Sequence, residues 1–282
     1  MSASVRLIRR NRATSSDRLH RRKLRRRVLQ GGNAEQLAPM DKKLQRAIDN
    51  NHGLYEAIFA SHGIRWNKNA SSWYCIEKVP PLYSNLVTRS AAWRPDGIFR
   101  SINNSFENEQ WENWSIKDSF AALDLGSHDF IKLFDAQWLY LEARQFKPEK
   151  KIAGIRHELI KDEDALCRWR KAWDADEALG NRIFHPSLLR DPRVHFVAGY
   201  VAQKIVSGCL VNKTEDVLGI SNCFCAGEDT GYWSDMISFI HATIERADIV
   251  GYERSEPLVA GLRAMGFEAV GNLAVWLKKR CS

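Results

Sequence analysis

The segment "DIVGYERSEPLVAGLRAMGFEAVGNLAVWLK" (residues 248–278) is the most informative part of the sequence, because it places a helical pattern between extended apolar runs. "DIVGY" is typical of a buried strand. Apolar residues in "EPLVAGLRAM" recur at helical spacing, with Pro257 near the first turn and Gly266 just past the last. The following "FEAVGNLAVWLKK" predicts a terminal pair of strands. The chain is therefore expected to end as strand, helix and two strands.

The residues before this segment continue the alternation of helices and strands. Helical spacing is predicted in "DALCRWRKAWDADEA" (164–178) and "YWSDMISFIHATIERA" (232–247). Between them, "VHFVAGYVAQKIVSGCLVNKT" (194–214) is typical of a hairpin and "DVLGISNCFC" (216–225) of a third strand. This order predicts an α/β (α+β) fold with a mixed, mostly antiparallel sheet flanked by helices.

A weaker copy of the same pattern occupies the first half of the chain. A helix is predicted at 43–63, followed by a hairpin with a short turn at 71–90. The later segment "DFIKLFDAQWLYLE" (129–142) is similar to "GFEAVGNLAVWLKK" (266–279) at the end of the chain. We therefore expect two pseudo-repeated halves, although two unrelated α/β segments would share some of this pattern.

The charge of the chain is concentrated at its start. Residues 1–30 contain eleven Lys or Arg and one Asp, so the remainder is nearly neutral although the whole chain carries +8. A block of like charge is expected to stay unfolded. We expect a basic disordered tail at 1–39, a degenerate half at 40–150 and a fuller half at 151–282. The tail is interpreted either as a weak contact for nucleic acid or other phosphates or as an extension without a role.

Several classes of protein find no support in the sequence. The six cysteines form no Cys-x-x-Cys pair, so reduced structural thiols are expected and no metal site is predicted. No run of about 18 apolar residues predicts a membrane-spanning helix. The motifs of P-loop nucleotide hydrolases, serine hydrolases and zinc proteases are missing as well. We expect a soluble, cytoplasmic protein.

Two motifs in the second half resemble one protein family. The helix-ending "AMGFEAVG" and the strand-loop-helix segment "GISNCFCAGEDTGYWSDMISFI" (219–240) resemble the GNAT superfamily of acyl-CoA-dependent N-acetyltransferases. The resemblance covers roughly residues 160–280, and the two halves look like the two-domain members of that superfamily. It implies transfer of an acyl group from acetyl-CoA or another acyl-CoA, as co-substrate, to an amine that the sequence does not identify.

The resemblance also implies where acyl-CoA would bind. A strand bulge would offer main-chain groups to the pantetheine arm and the acyl carbonyl, and the loop after it would offer amides at a helix N-terminus to the diphosphate. The implied coenzyme-binding residues are Asn222, Cys223, Phe224, Cys225, Gly227 and Gly231. Tyr252 and Glu253, at the end of the next strand, are the candidate acid or base residues.

Four residues depart from the superfamily pattern. Glu228 and Asp229 place carboxylates in the expected diphosphate loop, and Trp233 stands where a small residue is usual. Leu262 occupies the position of a proton-donating Tyr in many members. These departures leave an alternative open, in which the fold serves as a catalytically inactive binding module with a basic arm for nucleic acid or phosphate.

Overall fold

The computed structural model describes residues 41–94, 113–149, 152–174, 177–227 and 230–279. The predicted basic tail, Glu228 and Asp229 lie outside these residues. The helices are α1 Lys42–Ser61, α2 Glu163–Trp173, α3 Glu177–Ile183, α4 Gly231–Thr243 and α5 Glu256–Ala264. The strands are β1 Asn67–Lys68, β2 Ser72–Tyr74, β3 Leu86–Thr88, β4 Asn113–Asp118, β5 Ile131–Leu141, β6 Ile155–Ile160, β7 Val194–Val201, β8 Lys204–Thr214, β9 Val217–Cys225, β10 Asp248–Glu253 and β11 Glu268–Lys279.

All the strands of the described residues belong to one sheet of eleven, in the order β1-β2-β3-β4-β11-β5-β10-β9-β8-β7-β6. The pairings are antiparallel except for β3 with β4 and β9 with β10. This mixed, mostly antiparallel sheet flanked by helices confirms the fold class predicted from the sequence.

The helices cover both faces of the sheet, because each presents one apolar side. On one face, Phe59 of α1 and Trp169 of α2 pack with Phe196 of β7, and all three side chains are fully buried. On the other face, Met236 of α4 and Leu262 of α5 pack in a second cluster. Burying one such side chain contributes about 1.5–3 kcal/mol, so the two faces together stabilise the sheet strongly.

The two halves exchange a strand within this sheet. β5 belongs to the first half, yet it lies between β10 and β11 of the second. It pairs with β10 from Leu141 opposite Ile249 to Gln137 opposite Glu253. Its Trp138 is buried and donates its indole N–H to the Ser119 carbonyl at 2.9 Å. The second half therefore completes its sheet only with a strand from the first.

The predicted terminal pair of strands is wrong, because β11 is one continuous strand from Glu268 to Lys279. In the structure, the register against β5 shifts between Ala269 and Gly271, so the glycine marks a bulge in an unbroken strand. The long strand pairs with both β5 and β4, and the bulge lets it bend while it does so.

Three strands were missed in the sequence, the two-residue β1 as well as β4 and β6, and one connection was misjudged. β4 and β6 are short strands with charged or amide residues inside them, so alternation alone did not predict them. The predicted hairpin at 71–90 does form as β2 and β3. Residues 75–85 join its strands, however, in place of a short turn. This longer loop carries Tyr83.

The exchanged strand predicts that the two halves unfold together. A fragment of residues 152–282 lacks β5, so β10 and β11 lose the backbone partner that lies between them. We expect full-length protein to show one cooperative thermal transition and the fragment to show none, as measured by circular dichroism at the same concentration. A cooperative transition in the isolated fragment would contradict this prediction.

Candidate functional site

β9 and β10 run side by side at their starts and separate towards their ends. Their parallel pairing extends from Asp248 opposite Val217 to Val250 opposite Gly219 and stops there. Beyond that point, β9 pairs only with β8 and β10 only with β5. We call the gap between residues 220–225 and residues 251–253 the wedge. At its apex, a Cβ on Gly251 would lie 3.0 Å from the Ile220 carbonyl oxygen, so the absence of a side chain allows the strands to approach there.

A bulge in β9 borders the wedge. Asn222 has a φ of +51°, and the register against β8 shifts between Gly208 and Leu210. Asn is among the few residues that adopt positive φ at modest cost. A bulge leaves main-chain groups of the bulged strand without ladder partners. The predicted residues Asn222 and Cys223 therefore lie where β9 bends away from β10.

The other residues predicted on β9 have different surroundings. Phe224 packs in the core beside Trp169, with ring centroids 5.3 Å apart. Burial and the neighbouring Cys209 raise the pKa of the Cys223 thiol well above its ordinary value. The Cys225 thiol donates to the Gly227 carbonyl at 3.1 Å. These side chains pack or bond internally, so only their main chain is suited to holding a ligand.

The loop after β9 leads into α4, which begins at Gly231. Trp233 in its first turn is 8% exposed and packs in the core under α4 and α5. The Thr230 hydroxyl donates to the Glu149 carboxylate at 3.0 Å, and the Glu149 N–H donates to the Ser234 hydroxyl at 2.7 Å. The Glu149 carboxylate, from the chain between β5 and β6, thus lies at the N-terminus of α4. The sequence pattern did not reveal this contact.

The two candidate acid or base residues are placed very differently. The Glu253 carboxylate accepts the backbone N–H groups of Arg254 and Ser255 at 2.7 and 2.8 Å, so it is engaged in the turn between β10 and α5. Tyr252 is half-buried on the α1 face of the sheet, where its ring lies 5.5 Å from that of Trp138. Because neighbouring residues of a strand point to opposite faces, the two side chains do not converge.

A buried lysine lies against Tyr252. Lys117, on β4 of the first half, is 2% exposed, and its ammonium is 4.4 Å from the Tyr252 ring centroid and 4.9 Å from that of Tyr55. It also donates to the Asn51 side-chain oxygen at 3.2 Å. Burial lowers the pKa of Lys117, and contact with Tyr252 opposes this only in part. Nothing in the sequence around Lys117 distinguished it from a surface lysine.

Two more tyrosines of the first half extend this cluster. Burial raises the pKa of Tyr55 to about 12, and its hydroxyl accepts the Ser84 N–H at 3.2 Å. Burial also raises the pKa of Tyr83 well above its ordinary value, while contact with the Asn222 side chain opposes the change. The first half therefore supplies a wall of aromatic and polar groups on the α1 face of the wedge.

Other kinds of site are not seen in the described parts of the chain. No group of three or more His, Cys, Asp or Glu side chains there is arranged to hold a metal ion. No described helix is long and apolar enough to cross a membrane. The wedge, with main-chain groups on one side and a tyrosine cluster on the other, is therefore the arrangement we consider for chemistry.

Comparison with known proteins identifies the architecture. No family model and no curated protein matches the sequence. Among solved structures, a GCN5-related N-acetyltransferase from Kribbella flavida matches with a TM-score of 0.60 and 11% identity, over 82% of this chain and 95% of the other. A functionally unknown conserved protein from Staphylococcus epidermidis gives 0.61 and 13%, over 79% and 98%.

A third structure is informative about the two halves. A tandem GNAT protein from the clavulanic acid biosynthesis pathway matches with a TM-score of 0.51 and 11% identity, over 86% of this chain and 96% of the other. Likeness at such low identity concerns the fold and not the activity. The chain has the GNAT acetyltransferase fold, in an arrangement compatible with the tandem form.

Proposed function

We propose that this protein transfers an acyl group from an acyl-CoA, such as acetyl-CoA, to an amine at the wedge. One observation supports the proposal above the others: β9 and β10 part at a bulge that releases main-chain groups beside an open edge. Extended chains bind well to unpaired strand edges, because main-chain hydrogen bonds supply affinity without particular side chains. The pantetheine arm, with its two amide groups, is such a chain.

The reaction would depend on placement and polarisation. Main-chain groups of Asn222–Cys225 would hold the thioester, and an N–H directed at its carbonyl oxygen would stabilise developing negative charge. An unprotonated amine held against that carbonyl reacts as though within one molecule. Tyr252 borders the wedge and would supply a proton to the departing sulfur. The Glu253 carboxylate is engaged by the backbone N–H groups of Arg254 and Ser255, so we assign it no proton transfer.

The residues fit the two ends of acyl-CoA unequally. The wedge suits the thioester and the pantetheine arm. At the diphosphate end, Gly227 and Gly231 leave room for main-chain contacts, and the N-terminus of α4 favours an anion. Glu149 already places a carboxylate there, bonded to Thr230. Binding of the diphosphate would require this carboxylate to move, so we expect modest affinity for the coenzyme.

The remaining proposals concern partners and location. The basic segment 1–39 lies outside the described residues, so weak contact with nucleic acid is proposed from its charge alone. The free thiols of Cys75, Cys209 and Cys223 fit a reducing compartment such as the cytoplasm. The inactive binding module would be favoured over the enzyme only if acyl-CoA failed to bind, because the parted strands are what a transferase of this type needs.

Binding of acetyl-CoA should raise the melting temperature. At 100 times its dissociation constant, a ligand that binds only the folded state stabilises it by about 2.7 kcal/mol, which corresponds to about 5–10 °C for a chain of this size. Differential scanning fluorimetry with acetyl-CoA up to millimolar concentration measures this. ATP is the control, since the basic tail will bind any polyanion. No shift with acetyl-CoA beyond that with ATP would reject the proposal.

The bulge should be needed for coenzyme binding. Asn222→Val forces a β-branched residue into positive φ at a cost of about 1–2 kcal/mol, so the bulge should flatten and affinity for acetyl-CoA should fall by at least tenfold. Asn222→Gly should keep the affinity. Glu215→Val is the matched control, because Glu215 has a φ of +54° in the turn between β8 and β9, remote from the bulge.

Isothermal titration calorimetry distinguishes the two effects of these substitutions. Asn222→Val and Glu215→Val should lose similar stability, but only the first should lose affinity. Equal affinity for acetyl-CoA in all four proteins would show that the bulge is a feature of the fold without a role in binding.

A further inference from the structure

Lys117 is placed in a way that its structural neighbours do not explain. Its partners on the adjoining strands are Val87 and Val275, which offer no polar group from their side chains. Asn51 supplies one neutral acceptor. Among the described residues, no carboxylate forms an ion pair with the Lys117 ammonium. Burying an ammonium in such surroundings costs several kcal/mol, and a Met of similar length would avoid that cost.

The position of Lys117 connects the two halves at the candidate site. β4, which carries it, belongs to the first half, whereas β10, which carries Tyr252, belongs to the second. Burial lowers the pKa of Lys117, and contact with Tyr252 is the effect that opposes this. Tyr252 in turn lies on the stretch of β10 that borders the wedge. Tyr252 is therefore the titratable neighbour of Lys117 that also borders the wedge.

We propose that Lys117 is a positioning residue of the acyl-transfer site, which acts through Tyr252 by returning a proton to its phenol. This inference rests on the proposed function. It assigns a role to the first half of the chain, which would supply the proton reservoir for a reaction that takes place on strands of the second half.

The proposed step transfers one proton from the attacking amine to the leaving sulfur by way of Lys117 and Tyr252. The amine nitrogen bonds to the acyl carbon, the carbon–sulfur bond breaks, and its electron pair leaves on sulfur. The Tyr252 hydroxyl gives its proton to that sulfur, and the ammonium of Lys117 gives a proton to the phenolate. Lys117 is then neutral, the form that its buried site favours. The proton released by the attacking nitrogen, which the new amide does not need, restores the ammonium.

The lowered pKa of Lys117 gives a test that needs no substrate. In the unfolded chain its pKa is about 10.4. At a pH between the lowered pKa of Lys117 in the folded chain and its pKa in the unfolded chain, the unfolded chain binds a proton that the folded chain lacks. The free energy of unfolding therefore increases as pH rises. The facing titratable groups, Tyr55 and Tyr252, are still present in Lys117→Met. The urea midpoint of wild type minus that of Lys117→Met should therefore increase from pH 7 to pH 10. A constant difference would contradict a buried, easily deprotonated Lys117.

A double-mutant cycle tests the role in transfer. Acetyl-CoA and hydroxylamine serve as donor and acceptor probes, because hydroxylamine is largely unprotonated at neutral pH. Lys117→Met and Tyr252→Phe should each lower kcat by about 100-fold, with little change in the KM for acetyl-CoA. The double variant should be no slower than Tyr252→Phe alone, because Lys117 acts only through that hydroxyl. Lys132→Met is the control, since Lys132 also lies over an aromatic ring, that of Trp276, at the far end of β5.

Stability provides the readout that separates a functional from a structural role. Lys117→Met should melt at the wild-type temperature or above it, because an unpaired buried charge is removed. A slower variant that also melts well below wild type would overturn the inference in favour of a packing role. Wild-type kcat in Lys117→Met would overturn it while leaving the proposed function intact. Absence of any transfer by wild type, together with no binding of acetyl-CoA, would reject both.

Discussion

The pairing of β5 with β10 is the constraint on which the rest of the structure depends. β10 has two neighbours, and it keeps β5 along its whole length but β9 only at its start. Since β5 holds β10 in place, the bend of β9 at Asn222 opens a gap between the strands and does not pull β10 with it. In the same sheet, β11 and β5 are the two strands that lie between β4 and β10. The wedge and the tyrosine cluster beside it are thus consequences of one strand exchange.

The groups around the wedge are arranged at a cost to stability. The Lys117 ammonium is buried without a carboxylate partner among the described residues. Asn222 adopts a conformation that most residues avoid, and Tyr55 and Tyr83 bring hydroxyl groups into a largely apolar interior. Apolar residues would fill the same volume at lower cost. Proteins tolerate such costs mainly where a site needs them. The hydrophobic clusters of the first half also contain residues of the second, such as Trp276 and Val250, so its buried polar groups lie where the two halves pack together.

The sequence predicted the parts of the fold that follow from periodicity, and it failed where tertiary pairing overrides periodicity. The helix at 43–63 and the order of strands from Val194 to Cys225 follow from apolar spacing. The predicted terminal pair of strands was wrong, because a glycine between apolar runs is compatible with a turn or with a bulge, and only the partner strand decides between them. β5 looked like the end of the first half, yet no local pattern states that it pairs with β10. The site shows the same limit: Asn222 followed from family resemblance, whereas Lys117 and Glu149 become notable only through residues distant in sequence.

A degenerate half is usually expected to keep only a structural role. The position of Lys117 beside Tyr252 argues against a purely structural role for the first half. If it served only to support the sheet, Lys117 could be replaced by any apolar residue that fits between Val87 and Val275. Its ammonium instead faces Tyr252, which borders the wedge, and no carboxylate of the described residues pairs with it. The polar and aromatic groups around this ammonium come from both halves: Asn51 and Tyr55 from the first, and Tyr252 from the second. Under the proposed function, both halves would contribute residues to one site at the wedge.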